Sequence, residues 1–238
     1  MHEYYKKNSM KFKKQMNTMF KLIRNEIEDT FSKPYNEVFE EIWEFYYDNI
    51  MEKFPYIGGD NASGTKNLTG AYYFVALGEV GKKYKITIEQ WGKMITISFE
   101  RYFEKTPKFA KRVIKRISEK SRFVEMLLLR KDKKNMKNAI QYLGSFETKT
   151  QTPTEEYPIN FHVTVCPLYE FAKQNNYLEY MPYLCNLDYA MFNAFDIPLY
   201  REKTLASGDK YCDFKIKKGG KIEPAYPPHI LRDNDPLK

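Results

Sequence analysis

The chain has 238 residues, with 39 Lys and Arg against 31 Asp and Glu, for a formal net charge of +8. Its 42% hydrophobic and 16% aromatic content excludes a disordered chain and is enough for a sizeable core, in one large domain or two small ones. No run approaches the roughly 18 apolar residues of a membrane span, and the lysines are spread in short clusters (Lys11–Lys14, Lys131–Lys137, Lys215–Lys221) with no nucleic-acid motif around them, so they read as solvated faces with a modest attraction for anionic small molecules.

The opening residues, MHEYYKKNSMKFKKQM, are basic but lack the apolar centre and small-residue cleavage site of a secretory signal. Three cysteines (Cys166, Cys185 and Cys212) cannot all pair internally, and the simplest expectation is reduced thiols in a cytoplasmic protein.

In chain order, residues 3–30 show helical spacing, with Met16, Met19, Phe20, Ile23 and Ile27 recurring at three and four. Ser32 and Pro34 reset the chain as cap and first turn. A second helix carries Val38, Ile42, Phe45, Tyr46 and Ile50 to near Pro55, and its start is acidic at Glu37, Glu40 and Glu41. GGDNASGTK, from Gly58 to Lys66, has the glycine separation of a phosphate-binding loop. The Thr65-Lys66 order is reversed, however, and no buried strand precedes it, so it reads as a flexible loop or a lid over the site. Residues 67–80 form a buried helix closed by Gly81. TIEQ at Thr87–Gln90 has the form of a capping box and opens a helix to about Lys105. Pro107 begins another, with Phe109, Val113, Ile114 and Ile117 on one face, and a last helix reaches about Leu129 before a polar break at Lys131–Lys137.

The texture then changes. AIQYLGSFET reads as a strand, TKTQTPTEEYP as a connection, and INFHVTV as an alternating strand with Phe161, Val163 and Val165 on one side and His162 and Thr164 on the other. Two helices follow, LYEFAKQNN and EYMPYLCNLDYAMFNAF. PLYREKTLA and KYCDFKIKK form an antiparallel pair joined at Ser207-Gly208-Asp209. The tail from Gly219, with four prolines, reads as extended and partly loose. The fold class is α+β: an N-terminal helical layer packed with a small, mostly antiparallel sheet and C-terminal helices. The helical part covers residues 1–138 and the α+β part residues 139–238, as one continuous domain.

Cys185 and Asp188 sit three apart on a helix and share a face. A buried thiol beside a carboxylate is inert, so nucleophilic chemistry there needs a cation, for which His162 and Lys203 are the candidates. Otherwise Cys185 is a small core residue and Asp188 a hydrogen-bonded structural carboxylate. Cys212 alternates with Phe214 and Ile216 toward the apolar side of the sheet, while Tyr211, Asp213 and Lys215 share the other; Asp209 closes the turn. Cys166 ends a strand, either as a packing residue or as a thiol facing the next helix N-terminus. His162, Cys166, Cys185 and Cys212 make a weak zinc set, because close pairs such as C-x-x-C are missing. No G-x-S-x-G elbow, H-E-x-x-H helix or post-strand G-x-G-x-x-G is present.

CPLYEFAKQNN, Cys185-x-x-Asp188 and REKTLASGDKYCDF, from Arg201 to Phe214, together resemble the L-2-amino-thiazoline-4-carboxylic acid hydrolase family. The match lies at Cys166, Pro167, Cys185, Asp188, Thr204, Leu205, Gly208, Asp209, Cys212, Asp213 and Phe214. The resemblance implies hydrolytic opening of a cyclic C=N or amide-like bond, a C–N bond of a small heterocycle bearing a carboxylate. The named substrate would give an N-carbamoyl-cysteine. On this reading Cys185 is the nucleophile and Asp188 its proton-transfer partner, with His162 as the cation. Lys203 or Arg201 holds the substrate carboxylate. Asp209, Cys212 and Asp213 line the pocket. A carboxylate-activated water is the alternative attacker. No cofactor or metal is expected, and the partner is a small molecule, without nucleic acid or membrane, in a monomer or homodimer. The layout also resembles small-ligand-binding domains of the vinyl-reductase-like type, in which the pocket would bind and not catalyse. A plain structural subunit whose cysteines merely pack is the third reading.

Overall fold

The computed structural model describes residues 1–232, with the side chains of Ser121, Ile230 and Arg232 left aside. The chain divides into two compact units, Met1–Tyr102 and Phe103–Lys238. Among the described residues no helix is long and apolar enough to cross a membrane.

The first unit is helical. Its elements are α1 (Glu3–Phe20), α2 (Arg24–Phe31), α3 (Tyr35–Phe45), α4 (Ser63–Lys83) and α5 (Ile88–Glu104). The periodic stretch expected as one helix over residues 3–30 is broken by a tighter turn at Lys21–Ile23. Ser32 caps no helix start. It adopts a left-handed conformation (φ 52°) at the end of α2, and Pro34 stands at the N-cap of α3. The Glu28 carboxylate then accepts the Tyr35 N–H at 3.0 Å, taking the capping role that the serine was expected to fill. The supposed flexible loop is short and held: a tight turn covers Gly59–Asn61, and α4 already begins at Ser63. Asp60 accepts from Tyr4 Oη and Lys11 Nζ, both at 2.9 Å. A Cβ on Gly59 would lie 2.9 Å from the Tyr4 ring, so glycine is required by space as well as by its φ of +57°.

The helix α4 is buried nearly all round, from Leu68 through Val80, as its uniform apolarity demands. Gly81 lies inside it, packed against Ile86. The left-handed residue is instead Lys85, beyond the helix end. The capping box forms as expected: Gln90 Oε1 accepts the Thr87 N–H at 2.9 Å, and Thr87 Oγ1 accepts the Gln90 N–H at 3.2 Å. Trp91, the next residue, is buried and donates its indole N–H to Phe74 O at 2.6 Å, tying α5 to α4.

The second unit is α+β. It contains α6 (Lys108–Ser118), α7 (Ser121–Gln141), β1 (Glu147–Thr150), β2 (Ile159–Val165), α8 (Pro167–Asn175), α9 (Met181–Asn193), β3 (Leu199–Tyr200), β4 (Cys212–Ile216) and α10 (His229–Arg232). The strands form an antiparallel sheet in the order β1-β2-β4-β3. The expected polar break at Lys131–Lys137 does not occur; α7 runs straight through it. Lysine and arginine are good helix formers, and the two non-cationic polar residues in the run have partners on β1. Asp132 accepts from Thr148 Oγ1, Thr150 N–H and Thr150 Oγ1, each at 2.6 Å, and Asn135 donates to Thr148 Oγ1 at 2.9 Å. The strand expected at AIQYLGSFET is displaced accordingly. Ala139–Gln141 finish α7, and the strand begins only at Glu147, near the end of that stretch, and runs to Thr150 in what was read as a connection.

The alternation in β2 is real. Phe161 stacks on Phe214 of β4 at 4.8 Å, and Val163 packs with Cys212 and Leu205, flanked by Phe146, Cys166 and Tyr169. The opposite face carries His162, which stacks on Tyr211 at 4.0 Å and pairs in register with Asp213. The tail is not loose over its described length. Asn186 of α9 donates to Ala225 O and accepts the His229 N–H at 3.3 Å, and Asn193 donates to Glu223 O at 2.6 Å. Pro236, the last of its prolines, lies outside the described residues.

Candidate active site

The site grows from one interruption. β3 pairs with β4 only at Leu199↔Ile216 and Tyr200↔Lys215, far less than the hairpin expected over PLYREKTLA. After Tyr200 the chain leaves the ladder, and its freed amides must find other acceptors. The Asp213 carboxylate supplies one: Oδ1 accepts the N–H groups of Glu202 at 3.0 Å and Lys203 at 2.7 Å. Oδ2 faces Lys215 Nζ at 3.0 Å. Asp209 repeats the device one step on, accepting the Thr204 N–H at 2.9 Å. Thr204 Oγ1 accepts the Ser207 N–H at 3.0 Å, Gly208 turns at φ 87°, and the Cys212 thiol accepts the Leu205 N–H at 3.3 Å. Thr204, Gly208, Asp209, Cys212 and Asp213 therefore build a loop whose product is the placement of Arg201.

Arg201 is held from every side. Nη1 donates to Asp188 Oδ2 at 2.9 Å and Nη2 to Cys185 O at 2.7 Å. The guanidinium plane lies 5.5 Å from the Tyr189 ring and 5.1 Å from the Phe214 ring. Its side chain is 4% exposed. A cation so deeply placed needs its carboxylate. Burial works against the Arg201 charge, but the Asp188 carboxylate opposes it, and the guanidinium stays above its ordinary pKa.

Arg201 and Cys185 line a cavity of about 520 Å³ together with Asn186, Tyr189, Thr204, Ser207 and His229. That volume suits a small molecule. Cys185 is partly accessible there, on the inner face of α9. Burial pushes its thiol well above the ordinary value, Arg201 pulling the other way and the Cys212 and Cys166 thiols and Asp188 adding to the rise. The resting group is thus a neutral thiol. Asp188, one helical turn on, is raised above its ordinary value by the same burial, with Arg201 opposing. Cys166 is pushed up to about 12 by burial, although the Tyr169 and Leu168 N–H groups at the start of α8 favour its thiolate. The helix-terminus effect is present there and is outweighed. Cys212 is raised by burial as well.

The expected site residues therefore separate. Cys185, Asp188, Arg201 and Cys212 come together on one face of the sheet. His162, Lys203 and Asp213 fall on the other. Lys203 Nζ reaches Tyr211 Oη at 3.3 Å, and Asp213 is 2% exposed beneath the loop. His162 is drawn below its ordinary pKa by burial, with Asp213 opposing. The cation that acts on Cys185 is Arg201, and the zinc set is split across the sheet. Among the described residues no three His, Cys, Asp or Glu side chains gather as metal ligands. A His162→Gln protein is accordingly expected to keep kcat/KM within a factor of about two. A large loss would bring His162 back into the site.

Asn186, Tyr189 and His229 are among the cavity residues that escaped the sequence reading. Tyr189 follows Asp188 directly and stacks on His229 at 4.1 Å. His229 arrives from the tail, 41 positions after Asp188 by subtraction of their numbers, and its only forewarning was being one of three histidines.

The model of one protein family, L-2-amino-thiazoline-4-carboxylic acid hydrolase, matches residues 68–216, more than half the chain. The chain belongs to this family. No curated protein and no solved structure matches it. The family match includes Cys166, Cys185, Asp188, Arg201 and the whole Asp213 loop, while His229 and the tail lie beyond it.

Proposed function

We propose that this member of the family is a hydrolase that adds water at the ring carbon of a small cyclic amidine or amide bearing a carboxylate. One observation carries the reading: a half-buried cysteine, Cys185, shares a cavity of small-molecule size with a buried arginine whose partner carboxylate lies one helical turn from that cysteine. In the proposed reaction Asp188 accepts the Cys185 proton as sulfur bonds to the ring carbon, and the C=N electron pair moves to the ring nitrogen, or in a lactam the C=O pair to the oxygen. Asp188 then returns the proton to the departing ring atom, and water displaces the cysteine sulfur, restoring the thiol. In a lactam or cyclic amidine the bond that breaks is C–N. In the thiazoline an N-carbamoyl product keeps the ring nitrogen, so the ring sulfur leaves. Arg201, with the Thr204 and Ser207 hydroxyls, is the proposed seat of the substrate carboxylate.

A carboxyl raised above its ordinary value is a stronger base than a free aspartate. It must be deprotonated to act, so activity is lost as pH falls through its pKa. The acid limb of kcat/KM is therefore expected to be displaced upward from that of an ordinary aspartate, and Asp188→Asn is expected to remove that limb together with roughly 10²-fold or more of the rate. The direct test incubates the full chain with L-2-amino-thiazoline-4-carboxylate and related cyclic amidines and lactams. Mass spectrometry should find a product one water heavier. A ligand retained unchanged, with no product from any ring, would instead favour a binding domain.

A further inference from the structure

The helix α6 reads KFAKRVIKRIS and contains no carboxylate. At about 100° per residue, Phe109, Val113, Ile117, Ala110 and Ile114 fall within an arc of about 140°, and Lys108, Lys111, Arg112, Lys115 and Arg116 fill the opposite one. Such complete segregation ordinarily means that the apolar side is buried. Here it is not. Phe109 is 72% exposed and Val113 49%, and none of the helix's residues is buried. The apolar exposure continues into the first turns of α7 at Phe123, Met126 and Leu127. Lys115 shares its charge with Asp196 at 3.7 Å, while Arg112 and Arg116 flank the Phe109 edge of the apolar arc.

We propose that α6 docks this protein in the plane of an anionic lipid surface, the apolar arc entering the headgroup boundary and the cations meeting lipid phosphates and carboxylates. Charge selects this occupant. An isologous contact with a second copy would bring two carboxylate-free basic helices together, whereas an anionic bilayer answers both arcs at once. At 11 residues α6 is too short to span a bilayer, and a helix of this kind lies in the plane of the interface. The inference is independent of the reaction at Cys185.

The test is sedimentation of the full chain with vesicles of phosphatidylcholine alone and of phosphatidylcholine mixed with phosphatidylserine. Binding to the mixed vesicles only, weakened by salt, is expected. Arg112→Gln with Arg116→Gln should weaken it roughly 10- to 30-fold, at about 1 kcal/mol per cation. Phe109→Ser with Val113→Ser should weaken it more than about 30-fold. Both pairs are exposed, so the fold should survive, as circular dichroism would verify. Absence of binding to the mixed vesicles, or equal binding to both kinds, overturns the proposal. So does a dimer in sedimentation velocity that the Phe109→Ser, Val113→Ser protein converts to monomer without any vesicle binding; the face would then belong to a second copy.

Discussion

Cys185→Ala is expected to lower kcat for ring opening by roughly 10³-fold or more while shifting stability by only about 1 kcal/mol. The two effects separate because Cys185 is a small, half-buried residue at the cavity wall, whereas the contact that it makes with Arg201 runs through its backbone carbonyl. Alanine keeps that carbonyl and the Arg201–Asp188 pair. Cys185→Ser should be almost as damaging. A hydroxyl is a weaker nucleophile than a thiol, and the burial that keeps the thiol neutral opposes an alkoxide more strongly still. Comparison with Asp188→Asn then decides the mechanism. If water attacks directly with Asp188 as its base, Cys185→Ala will retain most of its turnover and Asp188→Asn will not. If sulfur attacks, both lose it, and only the Cys185 protein will yield a covalent adduct when wild-type turnover is quenched and weighed.

What could be foreseen from sequence divides by the range of the interaction involved. The capping box at Thr87 and Gln90, the buried helix of residues 67–80 and the alternation of β2 are encoded within a few residues, and all three are present. The i, i+3 pairing of Cys185 with Asp188 belongs to the same class. The failures share a different cause. The helix α7 crosses Lys131–Lys137 because Asp132 and Asn135 find threonines on a strand that comes later in the chain. The hairpin shrinks to two residues because Asp213 takes the amides that a strand partner would have taken. His162 entered the candidate site as a cation for Cys185, chosen by residue type within the same stretch of sequence. The alternation that put Phe161 and Val163 on one face had already assigned it to the other, and only the pairing with β4 reveals that Cys212 lies with Phe161 and Val163.

Asp213 is where that long-range logic has its largest expected effect on stability. The carboxylate is 2% exposed and accepts two backbone N–H groups and one ammonium. Asp213→Ala leaves the Glu202 and Lys203 amides, donors in two part-buried hydrogen bonds, without their acceptor, at about 1–2 kcal/mol for each. Lys215 is less affected, since Glu202 also lies 3.0 Å from its ammonium. A loss of about 3 kcal/mol is expected, enough to lower the melting midpoint by roughly 6–12 °C in a chain of this size. Asp213→Asn keeps one acceptor for the two amides but turns an NH₂ toward Lys215, so about 2 kcal/mol is expected. Because those amides flank Arg201, both proteins should also lose catalytic efficiency, the alanine protein more than the asparagine one, and mainly through KM as the proposed carboxylate seat loosens. A group that contacted substrate would behave otherwise: Asp213→Asn would then lose kcat with its melting midpoint unchanged. Thermal melting and steady-state kinetics on the two proteins side by side separate a positioning role from a contact with the substrate.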